Sequence, residues 1–173
     1  VWGHPIYNWQ KHKEDNYNWW ISRLSFLTST VDYVRFDHFN GILKYWEIPV
    51  KHENGTNGKW SNGPGKHFID ALYDNIPRLK ILAEDLGELS NEVIELRSFK
   101  NIPGMKVFQF DYENISKNKK ENKVLFTGTH DNDTLIGWYD KELKDPFLNG
   151  KINFKSNELR QITVSYTHLR AHE

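Results

Sequence analysis

Residues Val34–Gly41 read VRFDHFNG. With Val31 and Tyr33 just upstream, the β-branched and aromatic residues predict a strand over Val31–Phe36. That strand stops abruptly in Arg35, Asp37 and His38, and the same kind of stop recurs along the chain. Leu79–Ala83 (LKILA) is a short apolar run that ends in Glu84, Asp85 and Gly87. Lys106–Phe110 (KVFQF) ends in Gln109 and Asp111, and Lys123–Phe126 (KVLF) runs into Thr129, His130, Asp131 and Asp133.

Helical patterns lie between these strands. Asn18–Thr30 carries Trp20, Leu24 and Leu27 at helical spacing, and His67–Asn75 reads as a short helix. Glu88–Phe99 is helix-like, with Ser90 as its cap and Val93, Ile94 and Leu96 to pack inward. A further helix starts within Asp133–Asp140. Strands alternating with helices predict an α/β fold with a parallel sheet. There is no GxGxxG and no Walker-type GKS or GKT, and the GPG of Gly63–Gly65 follows no predicted strand. That favours part of a (β/α)8 TIM-type barrel, about four of its eight strands, over a nucleotide-binding open sheet. A whole barrel takes roughly 250 residues, and this chain has 173. In such a barrel the C-terminal strand ends meet at one face, where the chemistry is done.

Bulk composition removes several alternatives. The formal net charge is zero and charged residues are well mixed, which argues against a broad grip on nucleic acid or an acidic membrane surface. Lys117–Lys123 (KNKKENK) reads as a polar loop. No cysteine is present, so disulfides, zinc–thiolate sites and cysteine nucleophiles fall away, in keeping with a reducing compartment. No apolar run approaches the ~18 residues of a membrane span. Aromatics are abundant: seven Trp, eight Tyr and ten Phe. Several sit beside Gly, Pro or polar residues, at Trp2-Gly3, Tyr7–Trp9, Trp19-Trp20 and Trp60–Gly65. Packing and ligand platforms are both open readings for them.

Convergent Asp, Glu and His suggest either metal binding or glycosyl transfer by a carboxylate nucleophile and a carboxylic acid. Arg35 and Asp37 share a strand face, and a guanidinium there favours an anionic nucleophile. Glu84 follows an apolar run, where desolvation favours a protonated acid. Taken singly, each motif has a structural reading: an ion pair for Arg35–Asp37, charges at a helix start for Glu84-Asp85, and a turn for Thr129–Asp131.

The chain resembles the 4-alpha-glucanotransferases called amylomaltase or disproportionating enzyme, glycoside hydrolase family 77. The resemblance rests on WGHPIYNW (Trp2–Trp9), VRFDHFNG (Val34–Gly41), YWEIP (Tyr45–Pro49), GKWSNGPG (Gly58–Gly65), AEDLG (Ala83–Gly87), IPGMKVFQF (Ile102–Phe110) and FTGTHDNDT (Phe126–Thr134). It implies Asp37 as the nucleophile, Glu84 as general acid and then base, and Asp131 as the carboxylate that holds sugar hydroxyls. Arg35, His38 and His130 would frame that sugar, and Trp2 would contact substrate. The implied partners are malto-oligosaccharides and α-1,4-glucans. No metal or organic cofactor is implied, and a cytoplasmic location is expected. An α-amylase-like hydrolase and an inactive glucan-binding fragment are the alternatives. Two positions depart from the family pattern: His4 where WGNP is usual, and Asn40 where RIDHFRG has a second Arg. Residues 1–163 are expected to form the partial barrel. Val164–Glu173 (VSYTHLRAHE) resembles translated adapter sequence and is expected to be a foreign tail.

Overall fold

The structure is a computed structural model, and it describes residues 3–51, 54–87, 89–111 and 121–143. The chain divides into two compact units, Val1–Lys106 with Asn122–Val124, and Val107–Glu121 with Leu125–Glu173. Trp2 and the suspected tail lie outside the described residues, as does most of the Lys117–Lys123 run.

The first unit opens with two helices, α1 (Trp9–Glu14) and α2 (Asn18–Leu27). Asn8 caps α1 by accepting the Lys11 amide. The helix expected to reach Thr30 ends at Leu27, where the hydroxyls of Thr28, Ser29 and Thr30 turn back onto the carbonyls of Ser25, Phe26 and Leu27. Those side-chain bonds offer the backbone an alternative to further helix, so the following strand starts late. It is β1 (Val34–Phe36).

After β1 the chain makes a 3-10 turn (Phe39–Ile42) and then a hairpin, β2 (Lys44–Glu47) with β3 (Lys59–Asn62). The hairpin is antiparallel, with Lys44 opposite Asn62 and Trp46 opposite Trp60. Helix α3 (Gly65–Asn75) follows and buries Phe68, Ile69 and Leu72, positions i, i+1 and i+4 of one face. Strand β4 (Ile81–Ala83) is buried at every position. Helix α4 (Asn91–Phe99) starts at Ser90, whose hydroxyl accepts the Val93 amide, as the sequence predicts. Strand β5 is Gly104–Val107, earlier than the expected Lys106–Phe110.

The main sheet runs β1-β4-β5-β6, with β6 at Lys123–Phe126. β1 and β4 are parallel with Phe36 opposite Ala83, and β4 and β5 are parallel with Ala83 opposite Gly104. The connection from β1 to its parallel neighbour passes through α3, the crossover that a parallel pair requires. The core lies between sheet and helices, where Leu24, Phe39, Phe68, Ile69, Leu72, Ile81 and Ile102 are buried together. Trp9, Trp20 and Phe68 pack at the edge of this core: Trp9 stacks on Trp20 at 5.8 Å, and both rings meet Phe68 within 5.4 Å. At Trp9 and Trp20, packing is therefore the better description.

In the second unit the backbone turns at Phe108–Asp111 into a short helix, α5, in place of the expected strand end. Thr134 caps α6 (Leu135–Trp138), which continues as a π-helical turn over Tyr139–Leu143. Phe108 and Trp138 meet edge to face at 5.8 Å.

Candidate active site

Asp37 and Glu84 follow directly on the paired residues Phe36 and Ala83, so they leave neighbouring parallel strands at the same level. The ladder continues past the strands: the Glu84 amide donates to the Phe36 carbonyl, and the Phe39 amide donates to the Glu84 carbonyl, each at 2.9 Å. Between them His38 takes a left-handed backbone conformation (φ 47°). This is uncommon for a residue with a side chain. The turn aims the His38 amide at the Glu84 carboxylate, which accepts it at 2.7 Å on Oε2. The other carboxylate oxygen, Oε1, accepts the Leu86 amide at 3.1 Å. Glu84 is half-buried. The apolar run before it does not enclose its carboxyl; two backbone amides hold it instead.

Arg35 and Asp37 pair as the strand alternation requires, Nη1 to Oδ1 at 2.7 Å. Arg35 also turns Nε toward the Met105 sulfur at 3.3 Å. The Asp37 side chain is 76% exposed and free to meet a ligand. His38 is exposed beside it.

His130 and Asp131 belong to the second unit, in the loop after β6. They face each other at 3.2 Å and both are largely exposed. Asn132 shapes the loop by accepting the Thr129 amide and hydroxyl on Oδ1, at 2.9 and 2.8 Å. Gln109 ties the loop at both ends, donating to the carbonyls of Thr127 at 3.1 Å and Asp133 at 2.8 Å. Lys141 and the Thr134 amide bond the Asp133 carboxyl and hold it below the usual carboxylate range, Lys141 being the larger cause. Asp133 is thereby a loop anchor. Among the described residues no group of three Asp, Glu or His side chains is placed to hold a metal ion, and no helix is long and apolar enough to cross a membrane.

Asp85, next to Glu84, has the opposite surroundings. Its side chain is fully buried. Oδ1 accepts the Met105 amide at 2.8 Å, while Oδ2 faces Arg97 Nε at 3.3 Å and Lys123 Nζ at 3.7 Å. The Arg97 contact is ionic, without the alignment of a hydrogen bond. Arg97 spends its hydrogen bonds on the carbonyls of Ile102 and Asn122. Asp85 thus links the end of β4 to α4, β5 and the start of β6. Sequence reasoning grouped it with the strand-end carboxylates, and its three partners lie too far along the chain for any local pattern to announce them. Gln109 was likewise read as a polar stop, with nothing local to show that it anchors the THD loop.

The sequence matches a family model described as 4-alpha-glucanotransferase over residues 1–171. The chain belongs to this family. It is 44% identical over 151 residues to a 4-alpha-glucanotransferase of Streptococcus pneumoniae, covering 84% of this chain and 30% of the relative. It is 38% identical over 168 residues to the chloroplastic/amyloplastic 4-alpha-glucanotransferase of Solanum tuberosum, covering 92% and 29%. Among solved structures, the amylomaltase of Streptococcus agalactiae in complex with acarbose superposes with a TM-score of 0.73 at 35% identity, covering 82% of this chain and 30% of that one. The amylomaltase of Corynebacterium glutamicum gives 0.69 at 17% identity over 92% and 24%, a likeness of fold. The α/β expectation holds, and the four-stranded sheet corresponds to part of an amylomaltase, a TIM-barrel enzyme. The chain spans about 30% of the length of the curated relatives it matches.

Proposed function

We propose that the protein is a 4-alpha-glucanotransferase that moves α-1,4-glucan segments between malto-oligosaccharides with retention of configuration. The observation that carries this reading is the Asp37–Glu84 arrangement. Two carboxylates leave adjacent strands at one level, one exposed beside Arg35 and the other gripped by the amides of His38 and Leu86. Family membership and the FTGTHDNDT segment support the remaining roles.

In the proposed first step Asp37 attacks the anomeric carbon. The bond to the leaving 4-oxygen breaks as Glu84 gives that oxygen its proton. A glucosyl ester on Asp37 remains. In the second step the 4-hydroxyl of an acceptor sugar attacks the same carbon, Glu84 takes its proton, and the ester bond breaks. The two amides that fix Glu84 would keep it aimed at the same oxygen position in both steps. Asp131 would hold sugar hydroxyls beside the reacting carbon, with Arg35, His38, His130 and Trp2 around that sugar. A cytoplasmic place for the reaction is part of the same proposal, checked by cell fractionation.

The test uses protein made from the complete reading frame. Given maltotriose, it releases glucose together with oligomers longer than the substrate. Glucose and maltose with nothing longer would mean transfer to water and a hydrolase, and no turnover at all would sink both readings. Asp37→Asn lowers turnover at least about 10³-fold. It moves stability by less than about 0.5 kcal/mol, as expected for so exposed a side chain.

A further inference from the structure

The hairpin β2–β3 carries two exposed tryptophans that neither the core nor the carboxylate site uses. Trp46 and Trp60 are a directly opposed cross-strand pair, in edge-to-face contact at 5.3 Å. Trp60 is 68% exposed and Trp46 is 41% exposed. Large indoles left in water on one face mark a binding surface more often than a packing accident. The pair is also rigid. Trp46 Nε1 donates to the Gly55 carbonyl at 2.8 Å. Gly58 lies so close beneath this ring that a Cβ there would sit 2.2 Å from Nε1. Trp60 meets this held ring edge to face, which lowers the side-chain entropy left to be lost on binding.

The two faces of the hairpin are sharply different. On the inner face Glu47 accepts the Ser61 hydroxyl at 2.6 Å, and Tyr45 is half-buried. On the outer face strand alternation lines up Lys44, Trp46, Trp60 and Asn62, all exposed. Flat apolar rings flanked by an ammonium and an amide suit a sugar chain, with C–H faces to stack and hydroxyls to bond. Asn62 also borders an open groove of about 450 Å³, lined on the hairpin side by Tyr45 and Pro64 and on the other by Tyr7, Gln10 and Lys13. The hairpin follows Asp37 after a single 3-10 turn, and the Gly63 amide bonds the Leu43 carbonyl at 2.8 Å to close its base on that turn. The Trp pair is therefore a structural extension of the segment that carries Asp37.

We infer that Trp60, backed by Trp46, is a platform for an α-1,4-glucan chain, gripping it away from the bond that reacts. The identity of the ligand rests on the transferase reading; the platform itself rests on exposure and rigidity. Two experiments on protein from the complete reading frame test it. Trp60 in the unaltered protein is oxidised by N-bromosuccinimide, located by peptide mass spectrometry, and maltoheptaose protects it while leaving the exposed Trp19 as reactive as before. In native gels cast with amylose, Trp60→Ala binds roughly tenfold more weakly than the parent. A Trp60 that resists oxidation without sugar, or that maltoheptaose leaves unprotected, overturns the inference. So does a Trp60→Ala protein that melts earlier yet is retarded like the parent, since that describes a packing residue. Protection of Trp60 in a protein that fails to disproportionate maltotriose would leave the platform standing and remove the transferase reading. Disproportionation with Trp60 unprotected would do the reverse.

Discussion

Asp85 and Asp70 belong to the same compact unit, and each lies between two cations. Asp85 faces Arg97 at 3.3 Å and Lys123 at 3.7 Å with its side chain wholly out of water. Asp70 faces Lys100 at 3.0 Å and Lys66 at 3.3 Å with a third of its side chain exposed. The charge count is equal, and water makes the difference. Around Asp85 the solvent no longer competes, so every lost partner leaves a buried charge behind. Around Asp70 water solvates whatever the ions release. The contrast extends to function. The carboxylates proposed for chemistry, Asp37 and Glu84, stand in reach of solvent on the ends of β1 and β4, and the buried Asp85 holds the strand ends on which one of them is mounted.

The largest effect is expected from removing the buried charge. Asp85→Ala leaves Arg97 and Lys123 facing an empty site and frees the Met105 amide, a loss of about 3–5 kcal/mol. Urea denaturation reads it as a fall in midpoint, insensitive to added salt because the ions are shielded from the solvent. A loss below about 1 kcal/mol would place Asp85 with ordinary surface pairs. Gly104→Ala comes next, at about 1–3 kcal/mol. A methyl there would stand 2.4 Å from Asp85 Oδ2 and 2.6 Å from Oδ1. In the double variant with Asp85→Ala the collision has vanished, so the two losses add to less than their sum. Strict additivity would show that Gly104 serves some purpose other than admitting Asp85.

This pair of positions also shows what the sequence could and could not say. Apolar runs ending in charge marked β1, β4 and β6, although only β4 is buried at every position, and β1 and β6 keep part of each run in contact with solvent. Ser90 announced α4, because a cap acts within one turn of its own position. The start of β5 was missed by two residues: the Met105 amide is held in the strand by Asp85, a partner 20 positions away. The hairpin was missed for a related reason. Its strands alternate Trp with Lys, Glu and Asn, so neither face reads as core, and the YWEIP and GKWSNGPG segments showed themselves only as motifs. At the site, Asp37 and Arg35 were legible from i, i+2 spacing alone. The grip on Glu84 was not, since it depends on the left-handed turn at His38, a residue type that rarely adopts it.

The smallest effect separates the two aspartates most cleanly. Lys100, and then Lys66, hold the Asp70 carboxyl below the usual carboxylate range, with a smaller opposing push from desolvation. A carboxyl whose folded-state value is depressed binds fewer protons folded than unfolded. Its stabilising contribution is therefore complete above the unfolded value of about 3.9. As pH falls below that point the contribution shrinks, and it is gone once pH has passed through the folded value. Asp70→Asn should cost no more than about 1 kcal/mol at neutral pH, discounted for an exposed pair, and the cost should fade in high salt. Thermal midpoints of the two proteins, followed downward from pH 6, should differ slightly at first and converge in acid. A gap that persists unchanged below pH 3 or in strong salt would mean that Asp70 acts by packing from α3 onto Lys100 at the end of α4, and the distinction between the two ion clusters would then lie in geometry more than in water.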